Sequence, residues 1–186
     1  MKKIHKETKI PRTARKSSRG FSLIELLVVV GIILIIAAIA IPNLLAATWS
    51  ARQTKAVGFI TAISQANSLY EQKYQNGYAP TIGVLAGPST AAATCNLAEV
   101  IDNSLPTTMA NSGQYVIAYT PMGTALAAPA NGCTTPGQAG YLATASPLTP
   151  GAANSYCIDE NQTLHVDVTG AAAVTTDTAC DALPVQ

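Results

Sequence analysis

Gly20-Phe21-Ser22-Leu23-Ile24-Glu25-Leu26-Leu27-Val28-Val29-Val30-Gly31-Ile32-Ile33-Leu34-Ile35-Ile36-Ala37-Ala38-Ile39-Ala40-Ile41-Pro42 is the stretch from which the rest of the chain is read. Phe21 to Ile41 is 21 residues, and Glu25 is the single charge among them. At about 1.5 Å per residue, a helix of that length crosses the ~30 Å hydrocarbon core of a bilayer. A carboxylate within such a span costs a few kcal/mol and is normally kept only with a partner. The cation this segment can offer is a new α-amine on Phe21, made by cutting the chain after Gly20 and presented to Glu25 by a neighbouring copy. A secretory signal ending at Ala38-Ile39-Ala40 fits less well, because Glu25 stands at the head of its apolar region and an amphipathic pattern continues past Ala40. A plain uncleaved anchor leaves Glu25 unpaired. Snorkelling of Glu25 to the headgroups before assembly is compatible with pairing afterwards.

The formal charge of +1 hides an asymmetry. Eight of the eleven Lys and Arg precede Gly20, whereas only Glu7 of the ten acids does. Residues 21 onward therefore carry three cations, Arg52, Lys55 and Lys73, against nine acids, a side-chain charge of −6. A basic run abutting an apolar span fixes topology by the positive-inside rule, with the N-terminus cytoplasmic and Asn43 onward outside. Topology accounts for the run better than a nucleic-acid patch does.

Beyond Pro42 the pattern becomes one-sided: Leu45, Trp49, Ala56, Phe59, Ile60, Ile63, Ala66, Tyr70 and Tyr74 recur at steps of three, four or seven. One helix from about Phe21 to about Gln75, ~80 Å long, is expected to stop at Asn76-Gly77. Gly31 and Pro42 are its expected weak points, since Pro42 lacks the N–H that would bond four residues back; Pro42 as the start of a second helix at the membrane edge fits the sequence equally. Residues 77–112, with Pro80, Pro88 and Pro106, read as a long loop with a short helix over Asn96 to Asp102. Strands are expected over Gln114 to Thr120, ending at Pro121, over Gly140 to Ala145, and as a hairpin over Ser155 to Asp159 and Thr163 to Val168 around Glu160-Asn161-Gln162. Leu164, Val166 and Val168 are expected on one face of the last strand, with His165 and Asp167 on a solvent face. The fold class is α+β, a long helix packed on a small antiparallel sheet, followed by an Ala/Thr-rich tail from Gly170.

Gly20-Phe21-Ser22-Leu23-Ile24-Glu25-Leu26-Leu27 behind a short basic leader resembles the N-terminal signature of type IV pilins and of type II secretion pseudopilins. The match is close from about Ser18 to Leu45 and general elsewhere. The resemblance implies that a prepilin peptidase cuts between Gly20 and Phe21, that Phe21 is N-methylated, and that Glu25 pairs with the Phe21 amine of an adjacent subunit. It also implies that the helix can melt near Pro42, and it divides the chain into a leader at 1–20, a transmembrane and filament-core helix at 21–42, an amphipathic half at 43–76, an αβ-loop at 77–112, and a sheet with a disulfide-pinned end at 113–186. The implied partners are further copies in a helical homopolymer, the prepilin peptidase, an inner-membrane assembly machine, and membrane lipid before assembly. Implied locations are the inner membrane first and a surface pilus afterwards. Adhesion, motility, DNA uptake and secretion all belong to machines of this kind. A periplasmic pseudopilus is the nearest alternative, and a non-polymerising anchored or secreted binding module the next.

Cys95, Cys133, Cys157 and Cys180 all lie in the part expected to face an oxidising compartment and allow three pairings. Cys95 with Cys133 and Cys157 with Cys180 is preferred, the second pinning the tail as a C-terminal disulfide does in many pilins. The chain shows no phosphate loop, no HExxH and no metal-spaced cluster. An enzyme, a cofactor, a metal and direct nucleic-acid binding are accordingly not expected. His165 and Asp167 with Ser155 read as a solvated strand face, and Asp159, Glu160, Asp177 and Asp181 as solvated acids instead of a calcium site. Asn161-Gln162-Thr163 is a glycosylation sequon.

Overall fold

The computed structural model describes residues 20–87, 92–102, 114–127, 132–151, 153–170 and 174–186. The leader, except for Gly20, and residues 88–91 and 103–112 of the αβ-loop, with Pro88 and Pro106, lie outside them. Helix α1 runs Leu23–Tyr74, with Pro42 inside it, and the chain divides after Asn43 into two compact units.

In the first unit the helix has no core to cover. Its large apolar side chains are exposed throughout, from Phe21 and Leu23 at 81% to Val30 at 46%.

The second unit forms where α1 becomes one-sided. Ala56, Ile60, Ile63, Ser64, Ala66, Asn67, Tyr70 and Tyr74 are buried, the 3-4 spacing of one helix face. Leu45, expected on this stripe, is instead 57% exposed, and Trp49 is only half-buried. Against this face packs a four-stranded antiparallel sheet in the order β1-β2-β3-β4: β1 Tyr115–Ala125, β2 Gln138–Pro147, β3 Ser155–Asp159 and β4 Leu164–Asp167. Tyr115 and Ile117 of β1, Ala143 and Ala145 of β2, and Tyr156 and Ile158 of β3 point into the shared core, the period of two that a pleated strand requires.

β1 does not end at Pro121, as the sequence pattern suggests, but passes through it: Pro121 pairs with Tyr141. β1 is an edge strand with one neighbour, and a proline is tolerated there when its missing N–H would point away from that neighbour. The register shifts between Met122 and Ala125 around Gly123.

All seven tyrosines contribute to this unit. Tyr119 stacks on Tyr141 at 6.0 Å, Tyr78 meets Tyr141 edge-on at 5.0 Å, and Tyr70 lies 5.2 Å from Tyr74. Their hydroxyls are placed: Tyr141 donates to Ser64 Oγ at 2.8 Å, Tyr119 to the Ala79 carbonyl at 2.6 Å, Tyr115 to the Asn154 carbonyl at 2.9 Å, and Tyr70 to the Cys95 carbonyl at 3.0 Å. Burial pushes Tyr115 and Tyr141 up to about 12 and Tyr119 higher still. They remain neutral donors at any physiological pH.

The helix stops as expected. Gln75 and Gly77 take left-handed φ of 49° and 69°, and a Cβ on Gly77 would meet the Gln138 carbonyl oxygen at 2.6 Å. Only glycine allows that approach. Tyr78 and Gln138 then exchange backbone hydrogen bonds, both 2.9 Å, so the loop begins by pairing with the start of β2.

The helix expected over Asn96 to Asp102 is absent. A short helix α2 occupies Ile82–Leu85 instead, while Thr94 and Leu97 close a tight turn through mutual hydrogen bonds of 2.9 and 3.0 Å. The N–H groups of Ala98, Val100 and Ile101 are taken by carbonyls of Val84 and Leu85, and Glu99 sits at φ 53°. No helical ladder can form through those donors.

The outer face of the sheet is covered as well. Helix α3, Asp177–Asp181, is capped by Thr176, whose hydroxyl accepts from Ala179 N–H at 3.2 Å. Leu142, Cys157 and Cys180 form a second small core with Met122, Val174 and Leu183. The last residues pair with β4: Val166 N–H donates to Pro184 O at 2.9 Å, and Gln186 N–H to Leu164 O at 3.0 Å.

Candidate functional site

Two regions bear on function, the N-terminal end of α1 and the covered outer face of the sheet. At the first, Phe21 lies just ahead of the helix and Leu26 N–H donates to Ser22 O at 3.2 Å, closing the first turn. Glu25 falls in that turn, where a carboxylate faces the positive end of the helix dipole. It makes no ion pair among the described residues. Phe21, Leu23, Ile24, Leu26 and Leu27 around it are all exposed. Gly31 and Pro42 both lie within α1; a Cβ on Gly31 would touch nothing within 4 Å. Pro42 leaves the carbonyl of Ala38 without its helical donor.

This exposure makes physical sense only with another phase against it. From Phe21 to Leu45 the segment keeps its Leu, Ile and Val side chains open, whereas monomeric soluble proteins rarely expose contiguous apolar patches beyond a few hundred Å². α1 is long and apolar enough to cross a membrane. Lipid or the same surface of other copies would remove it from water.

The outer face gathers Asp159, His165, Asp177 and Asp181, and it is not the solvated strand face expected. Asp159 is fully buried, and His165 is 6% and Ser155 1% exposed. Asp159 accepts from Asn161, at 2.9 Å from the backbone N–H and 3.1 Å from Nδ2, which builds the turn between β3 and β4. Asn161 of the sequon thus stands in an exposed turn, with its amide held by Asp159.

His165 Nδ1 lies 2.8 Å from the Leu183 carbonyl, and its Nε2 is 3.9 Å from Asp181 Oδ1. Its role is to hold the C-terminal segment. Asp167 Oδ1 accepts from Thr169 N–H at 2.9 Å and from its hydroxyl at 2.6 Å, shaping the next turn.

The acids crowd one another. A hydrogen bond with Asp159, then burial and the Asp159 charge, push the Asp181 carboxyl up against a smaller opposing pull from His165. Burial first, then Glu160, Asp159 and Asp181, push Asp177 up as well. Among the described residues no group of three or more His, Cys, Asp or Glu is arranged to hold a metal ion.

Cys157 of β3 is bonded to Cys180 of α3, with Cα atoms 6.0 Å apart, and Cys95 to Cys133, 5.1 Å apart. The first clamps α3 on the sheet; the second ties the αβ-loop to the segment leading into β2. A cavity of about 300 Å³ lined by Ser50, Gln53, Thr54, Val57, Tyr156 and Gln186 offers hydroxyls and amides but no acid–base pair of side chains.

Two residues on the core face were not legible as such in the sequence. Ser64 and Asn67 look like solvent positions, yet each receives a tyrosine hydroxyl across the helix–sheet interface: Tyr141 to Ser64 at 2.8 Å and Tyr119 to Asn67 Oδ1 at 3.2 Å. The signal that could have found them is their spacing, since Ser64 lies one turn from Ile60 and Asn67 one turn from Ile63 on the buried arc.

The family model for the prokaryotic N-terminal methylation motif matches residues 15–41, which span the Gly20-Phe21 junction, Glu25 and the exposed helix. The type IV wide pilus major component PilA4 of Thermus thermophilus is 33% identical over 104 residues, 54% of this chain and 79% of that protein. No solved structure matches. The methylation motif therefore sits at the head of an exposed apolar helix carrying a small antiparallel sheet, and the match runs over most of a known pilin's length: the chain belongs to the type IV pilin family.

Proposed function

We propose that this chain is the structural subunit of a type IV pilus-like filament, held in the inner membrane by α1, cut between Gly20 and Phe21 by a prepilin peptidase, N-methylated on Phe21, and polymerised through the apolar half of α1. The observation that carries this reading is the unbroken exposed apolar surface from Phe21 to Leu45 with Glu25 as its one unpaired charge. Packing that surface among copies supplies non-directional affinity, roughly 25 cal/mol per Å² buried. It specifies no axial position, since one leucine slides past another at little cost. A single charge pair does: Glu25 of one copy against the Phe21 amine of the next favours one stagger and opposes all others. Methylation keeps the amine basic and adds bulk at the contact. Gly31 and Pro42 mark where the helix yields when subunits are drawn from lipid into a filament. The name of the matched relative, a major component of a pilus, supports a surface filament over a short periplasmic one.

The test has two parts. Mature protein from the producing cell is expected to begin at Phe21 and to be one methyl group heavier there. Glu25→Ala is expected to leave processing and membrane residence intact and to abolish filaments seen by electron microscopy. A mature start at Ile41, or filaments of normal yield from Glu25→Ala, overturns the reading.

A further inference from the structure

Just past the exposed apolar surface, α1 changes chemistry in a fixed order. Leu44 and Leu45 are the last of the exposed leucines in the run, at 65% and 57%. One turn on comes Trp49, the only tryptophan in the chain, followed by Arg52, Lys55 and Phe59. The Arg52 guanidinium lies over the Trp49 ring at 5.4 Å and Lys55 Nζ over the Phe59 ring at 5.5 Å. Arg52 and Lys55 are two of the three cations that follow Gly20, and neither makes an ion pair among the described residues. A chain with a side-chain charge of −6 beyond Gly20 has acids to spare, yet sets none against half-buried Arg52 or exposed Lys55 among the described residues.

Apolar, then aromatic, then cationic is the order met on leaving a bilayer: acyl chains, the belt where indole rings settle, then the phosphates. We infer that Arg52 and Lys55, with Trp49 below them and Phe59 backing Lys55 from the edge of the core, form a collar that binds the phosphates of anionic phospholipids and fixes the depth of the subunit in the membrane before assembly. The inference rests on the membrane-held precursor proposed above. Each cation serves twice. Its stem and charge cover an aromatic face, which orders the side chain in advance, and its outer N–H groups remain free for phosphate oxygens. Entry into a filament then exchanges lipid phosphate for whatever the neighbouring copy offers.

The single tryptophan is the reporter. The chain beginning at Phe21, free of the eight leader cations that would bind phosphatidylglycerol by themselves, is reconstituted into phosphatidylglycerol vesicles and separately into phosphatidylcholine vesicles, dilute enough that no polymer pellets. Flotation, Trp49 emission, acrylamide quenching and co-purifying lipid are then measured. The expected result is co-flotation with both, but blue-shifted and shielded Trp49 emission in phosphatidylglycerol only, reduced at 1 M salt where screening acts over about 3 Å. Arg52→Gln and Lys55→Gln are each expected to lower phosphatidylglycerol enrichment by about fivefold at low salt. The exchange Arg52→Lys with Lys55→Arg is expected to retain it. Equal Trp49 signals in the two lipids, persistence of the phosphatidylglycerol preference in the double Gln variant, or a shift that appears only in pelleted polymer overturns the collar while leaving the membrane reading standing. A chain that fails to float with either vesicle overturns both.

Discussion

Asn67 has no exposed surface and spends its whole amide on three elements. Nδ2 donates to Ile63 O at 3.1 Å within α1, and Oδ1 accepts from Ala79 N–H at 3.1 Å and from Tyr119 Oη at 3.2 Å. Removing it strands a buried N–H, at about 1–3 kcal/mol for each unsatisfied group. Asn67→Ala is therefore expected to destabilise the chain by about 2 kcal/mol or more in urea titration, with Ser68→Ala at the neighbouring part-buried position costing less. Such residues are hard to read from sequence, because a polar side chain on a core face is distinguished from one on a solvent face only by partners 12 and 52 positions away. Leu164 and Val166 reveal their face by themselves; Asn67 and Ser64 do not.

Asp177 sits partly buried among other acids. Its ordinary value of 3.8 is raised in the folded chain, so the folded state holds the proton more tightly than the unfolded one. The stability this group contributes is present below about pH 3.8 and is lost as pH rises through the raised folded value. Asp177→Asn is accordingly expected to raise the thermal midpoint at pH 7, where the carboxylate faces Glu160, Asp159 and Asp181, and to change little at pH 3. A variant less stable than wild type at pH 7 would show that the carboxylate has a favourable partner there.

Among the elements, α3 is small enough to depend on its tether. Five residues capped by one threonine do not hold a helix in water; the Cys157–Cys180 bond places them, closing a sequence separation of 23. Loop-closure entropy for that separation is about 3 kcal/mol. Replacing both cysteines with serine is expected to cost about that much and to expose His165 and the last residues to faster hydrogen exchange, while β1 and β2 keep their protection. The same element scale divides what the sequence showed from what it hid. The long helix, the Asn76-Gly77 stop and the hairpin at Asn161 follow from local spacing and turn chemistry. The passage of β1 through Pro121, the position of α2 and the burial of Asp159 do not. They depend on which strand is at an edge and on what the C-terminal segment covers, and neither is encoded within a few residues.

For the molecule as a whole, charge sets the terms of association. On the processing proposed above, leader removal would convert a near-neutral chain into one with a side-chain charge of −6, so that mature copies would repel at long range while their helices attract at contact. Screening changes the first far more than the second: the Debye length falls from about 30 Å at 0.01 M to about 8 Å at 0.15 M salt. Assembly of the processed protein is expected to accelerate across that range, read by light scattering. A rate that falls with salt would mean that favourable charge contacts outweigh the repulsion.

The pairing of Pro184 and Gln186 with β4 has a consequence for the order of events during synthesis. β4 is made before the segment that covers its free edge, so that edge stays open until residues 184–186 have joined it. A chain cut before Pro184 would keep the apolar helix and leave that edge bare. An open edge is a template for the same edge of another copy, so closing it favours single heads over strand-to-strand aggregates.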